Sequence, residues 1–258
     1  MQIYFSIATF LLGLIVGSFL NCVIYRMEEG KSFLKGRSFC PYCKHELSWR
    51  DLIPIFSFLL LRRKCRYCKK PISWQYPLVE LGTGILFVLG LLFVFNSGIW
   101  DFICYLLVSS FFVLIFVFDL KHYIIPDRLV WPAILIAFLY QWNLYQWNFL
   151  EMKNLALGVL PAFFILAIII VSRGKWMGLG DFSLTILMGL FLGFPKILVA
   201  LFFAFFLGAI IGISLMIFKG KTLKSEIPFG PFLITATFIS FFWGQQIING
   251  YLRFLFNP

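Results

Sequence analysis

Charge is what this sequence has least of. Only 13% of its 258 residues are Asp, Glu, Lys or Arg, against about 25% in ordinary soluble domains, while 61% are hydrophobic and 34 are phenylalanine. That shortage excludes a soluble globular chain and leaves an integral membrane protein. Carboxylates are scarcer still: eleven stand against 22 Lys and Arg, for a formal charge of +11. Such a basic balance could serve nucleic acid, but Lys and Arg also collect in the cytoplasmic loops of membrane proteins, so their distribution decides. It decides for the membrane, and no nucleic-acid partner is expected. No repeat of fixed period and no low-complexity linker stands out. The N-terminal apolar run, Ile3 to Ile24, lacks the basic segment that opens a secretory signal and is long enough to span a bilayer, so it reads as an uncleaved anchor.

What is present is a series of apolar runs. Taken as spans of about 17 to 25 residues, they fall near 3–24, 77–95, 100–118, 129–145, 155–172, 182–194, 197–218 and 229–256, which predicts an all-α polytopic membrane protein of about eight transmembrane helices. With that count, loops on one side carry nineteen Lys and Arg and loops on the other carry three. The positive-inside rule then puts the long segment 26–76 in the cytoplasm and both termini outside.

That segment holds two C-x-x-C knuckles, Cys40/Cys43 and Cys65/Cys68, separated by 21 residues. Each knuckle can present two sulfurs to one tetrahedral ion, the pattern of a four-thiolate zinc site. Disulfides are the alternative, and a reducing cytoplasm disfavours them. Four thiolates leave no open position, so such a zinc is structural. Between the knuckles, Leu52 to Leu61 is apolar but too short to span, and is expected to lie along the membrane surface with Arg62, Arg63 and Lys64 beside it. In the first helix Gly17, Asn21 and Tyr25 recur every four residues, a face for close helix packing or for ligand contact. Glu80 lies near the cytoplasmic end of the second helix, either to balance nearby cations or to bind a ligand.

Two aspartates end on the same face. Asp119 closes an outside-to-inside helix and Asp181, in the tetrapeptide Gly178–Leu179–Gly180–Asp181, opens an inside-to-outside one. A carboxylate costs roughly 2.5–3.5 kcal/mol at the centre of a membrane helix, so one near the bilayer marks a functional site by default. Two together share a proton, one acting as base and the other as acid, as in aspartic proteases. Helix polarity favours ionised Asp181 at a helix start and protonated Asp119 at a helix end. Gly178 and Gly180 permit positive φ and close approach of a substrate; the plainer reading is a turn with Asp181 as a cap. Asp127 is a second possible partner, though after Pro126 it reads more as a helix-initiating residue, and His122 reads as a headgroup or hydrogen-bonding residue. Proton-coupled transport through the aspartates, or a non-enzymatic assembly role for the zinc module, are the alternatives from other classes.

Six motifs in one order carry a resemblance: GSFLNCVIYR (17–26), CPYC (40–43) with CRYC (65–68), PISWQYPLVELGTG (71–84), FDLKHYIIPD (118–127), GLGD (178–181) and IPFGPFL (227–233). Together they resemble the bacterial type IV prepilin peptidases, bifunctional leader peptidase/N-methyltransferases of the A24 aspartic class. The resemblance implies an inner-membrane GxGD-type endopeptidase with Asp119 and Asp181 as catalytic residues. Its substrates would be type IV prepilins or the pseudopilins of type II secretion, cut after a glycine behind a short basic leader. It also implies methylation of the new N-terminus by S-adenosylmethionine, with Asn21, Arg26 and Glu80 as candidates for the cofactor; nothing here resembles the glycine-rich nucleotide site of soluble methyltransferases. Pro228 and Gly230 would border the substrate, either as unwound backbone or as a helix start. The expected layout is a first helix (1–25), a zinc-binding module (26–76, within an N-terminal methyltransferase-associated region 1–84) and a peptidase domain (77–258).

Overall fold

The computed structural model describes residues 2–30, 36–144, 152–219 and 227–256. Lys31, Lys35, Lys221 and Lys224, which contribute to the charge asymmetry, lie outside the described residues. Each of the eight apolar runs is a helix: α1 Gln2–Glu28, α3 Gln75–Phe93, α4 Ile99–His122, α5 Asp127–Leu144, α6 Met152–Ser172, α7 Leu179–Leu192, α8 Lys196–Lys219 and α9 Gly230–Phe256. A one-and-a-half-turn helix, α2 (Phe56–Leu60), lies between the knuckles. Six of them, α1, α3, α4, α6, α8 and α9, are long and apolar enough to cross a membrane. The expected eight spans therefore stand at six by length and composition. The other two fall short for different reasons: α7 has only 14 residues, and α5 carries Asp127, Arg128, Gln141 and Asn143 among its 18.

The chain divides into two units, Met1–Leu114 and Ile115–Pro258. In the first, α1 and α3 run antiparallel with their backbones in contact. A Cβ added at Gly13 would stand 2.6 Å from the Cα of Gly84, and one at Gly17 would stand 2.7 Å from the Cα of Glu80. One turn further, the Asn21 amide donates to the Tyr76 carbonyl at 3.1 Å. The spacing of four on α1 is thus matched by a spacing of four on α3, and the face that pointed to close packing does pack. Without side chains between the helices at two levels, the amide has a carbonyl within reach at the third. Tyr105 of α4 fills the space left at Gly90 and donates to the Leu86 carbonyl at 3.0 Å.

In the second unit α7 packs against α5, α6, α8 and α9. It is buried nearly all round, with Leu184, Leu187 and Met188 fully inaccessible, as an apolar helix without a polar face must be. Gln141 of α5 donates to the Phe191 carbonyl at 2.9 Å, and the Phe191 ring stacks on Phe241 of α9 at 4.7 Å. This enclosure holds the start of α7, and with it Asp181, in a fixed place.

Replacing Gly17 by leucine forces α1 and α3 apart and is expected to destabilise the N-terminal unit by about 1–3 kcal/mol, the usual cost of overpacking. A thermal melt of the purified protein in detergent, read beside Gly82→Leu, where an added Cβ meets nothing, checks it.

Candidate active site and metal centre

The second unit brings together the ends of three helices. Helix α4 stops at His122 because Tyr123 turns into the left-handed region at φ 58°, and its N–H returns to the Asp119 carbonyl. Asp119, only 4% exposed, sends Oδ2 to the backbone N–H of Gly230 at 2.9 Å. Gly230 is the first residue of α9, where backbone donors have no partner within the helix. Asp181 lies in the first turn of α7, and its Oδ2 accepts the N–H of Gly178 at 3.0 Å. The two aspartates lie around Ile125, which meets Gly180 beside Asp181 and Gly230 beside Asp119. Among the described residues each engages one carboxylate oxygen with backbone, which leaves Oδ1 of both for water or substrate.

The expectation from helix polarity changes here. Asp119 does close one helix, but it also faces the positive start of another, α9. Both carboxylates therefore sit at helix N-termini, and the asymmetry expected between them is not what the geometry builds.

Neither glycine of the tetrapeptide takes positive φ, and only Gly180 is required for its small size. Gly178 is extended, at φ −93° and ψ 162°, and Gly180 lies within α7. A Cβ on Gly180 would come within 2.8 Å of Ile125, in the segment that links α4 to α5. A Cβ on Gly230 would stand 2.6 Å from Oδ2 of Asp119. Ile125 lies beside both glycines and was not marked by any sequence motif of its own. Pro228 is in irregular backbone immediately before α9. Asp127 is the exposed first residue of α5, as expected, and the His122 ring packs on Phe118 at 4.6 Å.

The first unit gathers the four cysteines. Their sulfurs all lie within 4.8 Å of one another, and those of Cys40 and Cys68 are 3.9 Å apart. Four sulfurs about 2.3 Å from a zinc ion stand about 3.8 Å from each other, so the cluster fits that ion. The knuckles repeat one hydrogen-bond pattern. Cys40 N–H bonds the His45 carbonyl and Lys44 N–H the Cys40 carbonyl; Cys65 N–H bonds Lys70 and Lys69 N–H bonds Cys65 in the same way. Lys44 and Lys69 both take positive φ, 56° and 59°.

Asp51 fastens the second knuckle. Its carboxylate accepts from Arg66 Nε at 2.7 Å, Tyr67 OH at 3.3 Å, and the N–H and hydroxyl of Ser48 at 3.2 and 2.8 Å. Burial would raise its pKa, but the Arg66 guanidinium and the Ser48 donors outweigh burial and hold it below the usual carboxylate range. Nothing in the spacing of the sequence marked Asp51.

Asn21, Arg26 and Glu80 do not converge on one ligand. Asn21 is bound by Tyr76 and Gln75, and Arg26 donates to the carbonyls of Gly36 and Arg37. Glu80 accepts the Ile55 N–H at 2.7 Å. Their polar groups are directed at protein partners, so the structure does not mark them as cofactor ligands.

Two family models match the chain. The bacterial peptidase A24 N-terminal domain covers residues 11–94, and the type IV leader peptidase family covers residues 106–213. Among curated proteins, a prepilin leader peptidase/N-methyltransferase of Xanthomonas campestris pv. campestris is 34% identical over 94% of this chain and 93% of the relative. Proteins of the same description from Aeromonas hydrophila and Pseudomonas aeruginosa are 32% and 30% identical, each over 97% of this chain and 94% of their own length. No solved structure matches.

Two outcomes are expected. Gly230→Ala pushes the Asp119 carboxylate off the α9 amide, and peptidase turnover should fall on the order of a hundredfold, as for a displacement of about 1 Å at a reacting group. Asp51→Ala should release a bound zinc about tenfold faster to a chromogenic chelator, the lower end of the effect of losing a supporting hydrogen-bond partner.

Proposed function

Because the chain belongs to the type IV leader peptidase family, with the bacterial A24 N-terminal domain preceding the peptidase region, we propose that it cuts the leader from type IV prepilins or pseudopilins and methylates the new N-terminus. It is an aspartic endopeptidase with N-methyltransferase activity, held in the membrane by several helices. Cleavage falls after a glycine, at the cytoplasmic face of the bacterial inner membrane, with the zinc module on that side and both termini outside. Residues 77–258 form the peptidase domain, and residues 1–84 serve methylation.

The observation that carries this reading is the pair Asp119 and Asp181, at the end of α4 and the start of α7 around Ile125, with one oxygen of each held by a backbone N–H. Close carboxylates cannot both ionise cheaply, so one proton is shared between them. The ionised member takes a proton from water as the water oxygen attacks the scissile carbonyl carbon. The protonated member gives its proton to the carbonyl oxygen. The tetrahedral intermediate then collapses, the C–N bond breaks, and the proton gained from water passes to the departing amine. Gly178 and Gly230 keep each carboxylate turned, and the enclosure of α7 keeps the pair together. Pro228 and Gly230 border the path of the extended substrate.

The departing amine is the substrate of the second activity, for which S-adenosylmethionine supplies an electrophilic methyl group. The cofactor is taken by the N-terminal unit, whose Asn21, Arg26 and Glu80 are already engaged with protein partners. Zinc, held by Cys40, Cys43, Cys65 and Cys68, is structural.

The test uses the full chain in lipid nanodiscs, a prepilin with a basic leader and a Gly–Phe junction, and labelled S-adenosylmethionine. Wild type should release the leader and label the new N-terminus. Asp119→Asn and Asp181→Asn should each lose cleavage by at least about a thousandfold while still labelling a pilin supplied already cut. Cleavage that survives both substitutions overturns the dyad.

A further inference from the structure

Outside the spanning helices, one surface of the N-terminal unit is apolar, exposed and unused by either proposed activity. Helix α2 turns Phe58 inward, where it is 5% exposed and packs on Trp74 at 5.1 Å. Its other side turns Phe56, Leu59 and Leu60 outward, 61%, 63% and 80% exposed. A lone exposed leucine is ordinary, whereas three large apolar side chains on one and a half turns form a patch that water does not favour.

The depth of this patch is fixed by a buried contact. Pro54, Ile55 and Phe56 form a γ-turn, with Phe56 N–H on the Pro54 carbonyl at 2.6 Å and Ile55 at φ 60° and ψ −50°. A β-branched residue is strained there, by about 1–3 kcal/mol, and persists only when its surroundings impose it. Here the imposing group is Glu80, whose carboxylate accepts the Ile55 N–H at 2.7 Å. Glu80 is five residues into α3, which is about 7.5 Å along the helix axis from Gln75. Since α3 is a spanning helix, the hydrogen bond places the start of α2 below the level at which α3 begins. With the start of α3 at the headgroup level, that offset matches the depth of about 5–10 Å to which interfacial helices bury their apolar faces.

Charge completes the surface. Arg62, Arg63 and Lys64 follow α2 directly and are exposed, and the Arg63 guanidinium lies 4.9 Å over the half-exposed Trp74 ring at the mouth of α3. Exposed Trp49 carries a second such pairing, with Arg50 at 5.3 Å. The nearby carboxylates are engaged: Asp51 by Arg66, and Glu80 by Ile55. Tryptophan and arginine at this level suit the headgroup layer.

We propose that Phe56, Leu59 and Leu60 insert into the membrane interface and that Arg62, Arg63 and Lys64 bind anionic phospholipid headgroups there, with Glu80 setting the depth of insertion. The metal module is thereby held down on the bilayer at its middle as well as at its two covalent ends, α1 and α3. No other class of partner is needed to cover the patch.

The full chain is placed in nanodiscs of mixed phosphatidylglycerol and phosphatidylcholine, with p-benzoylphenylalanine at position 56, 60 or 46, and illuminated. Mass spectrometry should find lipid adducts at 56 and 60 and none at 46, on the exposed first knuckle. Absence of lipid adducts at 56 and 60, or their replacement by adducts to an added prepilin, overturns the proposal. In the same discs Arg62→Gln/Arg63→Gln/Lys64→Gln should reduce phosphatidylglycerol among co-purified lipids by at least about fivefold, the effect expected of one surface cation; unchanged lipid composition refutes the headgroup site. Glu80→Ala should lower the adduct yield at 60 severalfold, and Glu80→Gln, which keeps an acceptor, should retain it. Equal yields in all three proteins remove Glu80 from the role.

Discussion

The bond between the Asp119 carboxylate and the Gly230 amide is the constraint on which the candidate active site depends. It joins the end of α4 to the start of α9, residues 111 apart in sequence, inside an apolar environment where an unmatched carboxylate or amide would cost several kcal/mol. The bond also limits what residue 230 can be, because a side chain there would occupy the carboxylate's place. Asp181 repeats the arrangement at shorter range, closing on the amide three residues before it. Two helix starts thus supply two backbone donors, one to each acid.

The N-terminal unit solves a different problem with similar means. Two of its spanning helices, α1 and α3, touch through glycine at two levels and through an asparagine at the third, so their polar residues are used on one another and on the module between them. That explains why Asn21, Arg26 and Glu80 look like a ligand-binding set in the sequence and like a scaffold in the structure. A side chain can only be assigned to a cofactor once its nearer partners are known.

Much of the architecture was legible. Every apolar run became a helix at nearly the expected position, because length and hydropathy alone decide that in a membrane. The cysteine spacing likewise led to a cluster of the right size, since each C-x-x-C turn is a local structure. The number of spans was less legible: α7 is short and α5 carries polar residues, and whether either crosses depends on neighbours that sequence does not display. The long-range contacts were invisible for the same reason. Nothing near Gly230 announces Asp119, nothing near Asp51 announces Arg66, and the strain at Ile55 exists only because Glu80 reaches it. The GLGD glycines were recognised as special, but for conformational freedom, when the structure uses their small size at Gly180 and an ordinary extended backbone at Gly178.

The matching hydrogen bonds of the two knuckles bear on how the module comes to hold an ion. Each knuckle closes its own turn with backbone bonds that involve no metal, so the ligand pairs are preformed as two equivalent halves. The ion then bridges two turns that each hold their own backbone geometry. Losing the ion would leave the halves joined by side-chain contacts alone, His45 on Tyr67 at 3.7 Å and Lys70 over Tyr42 at 4.7 Å.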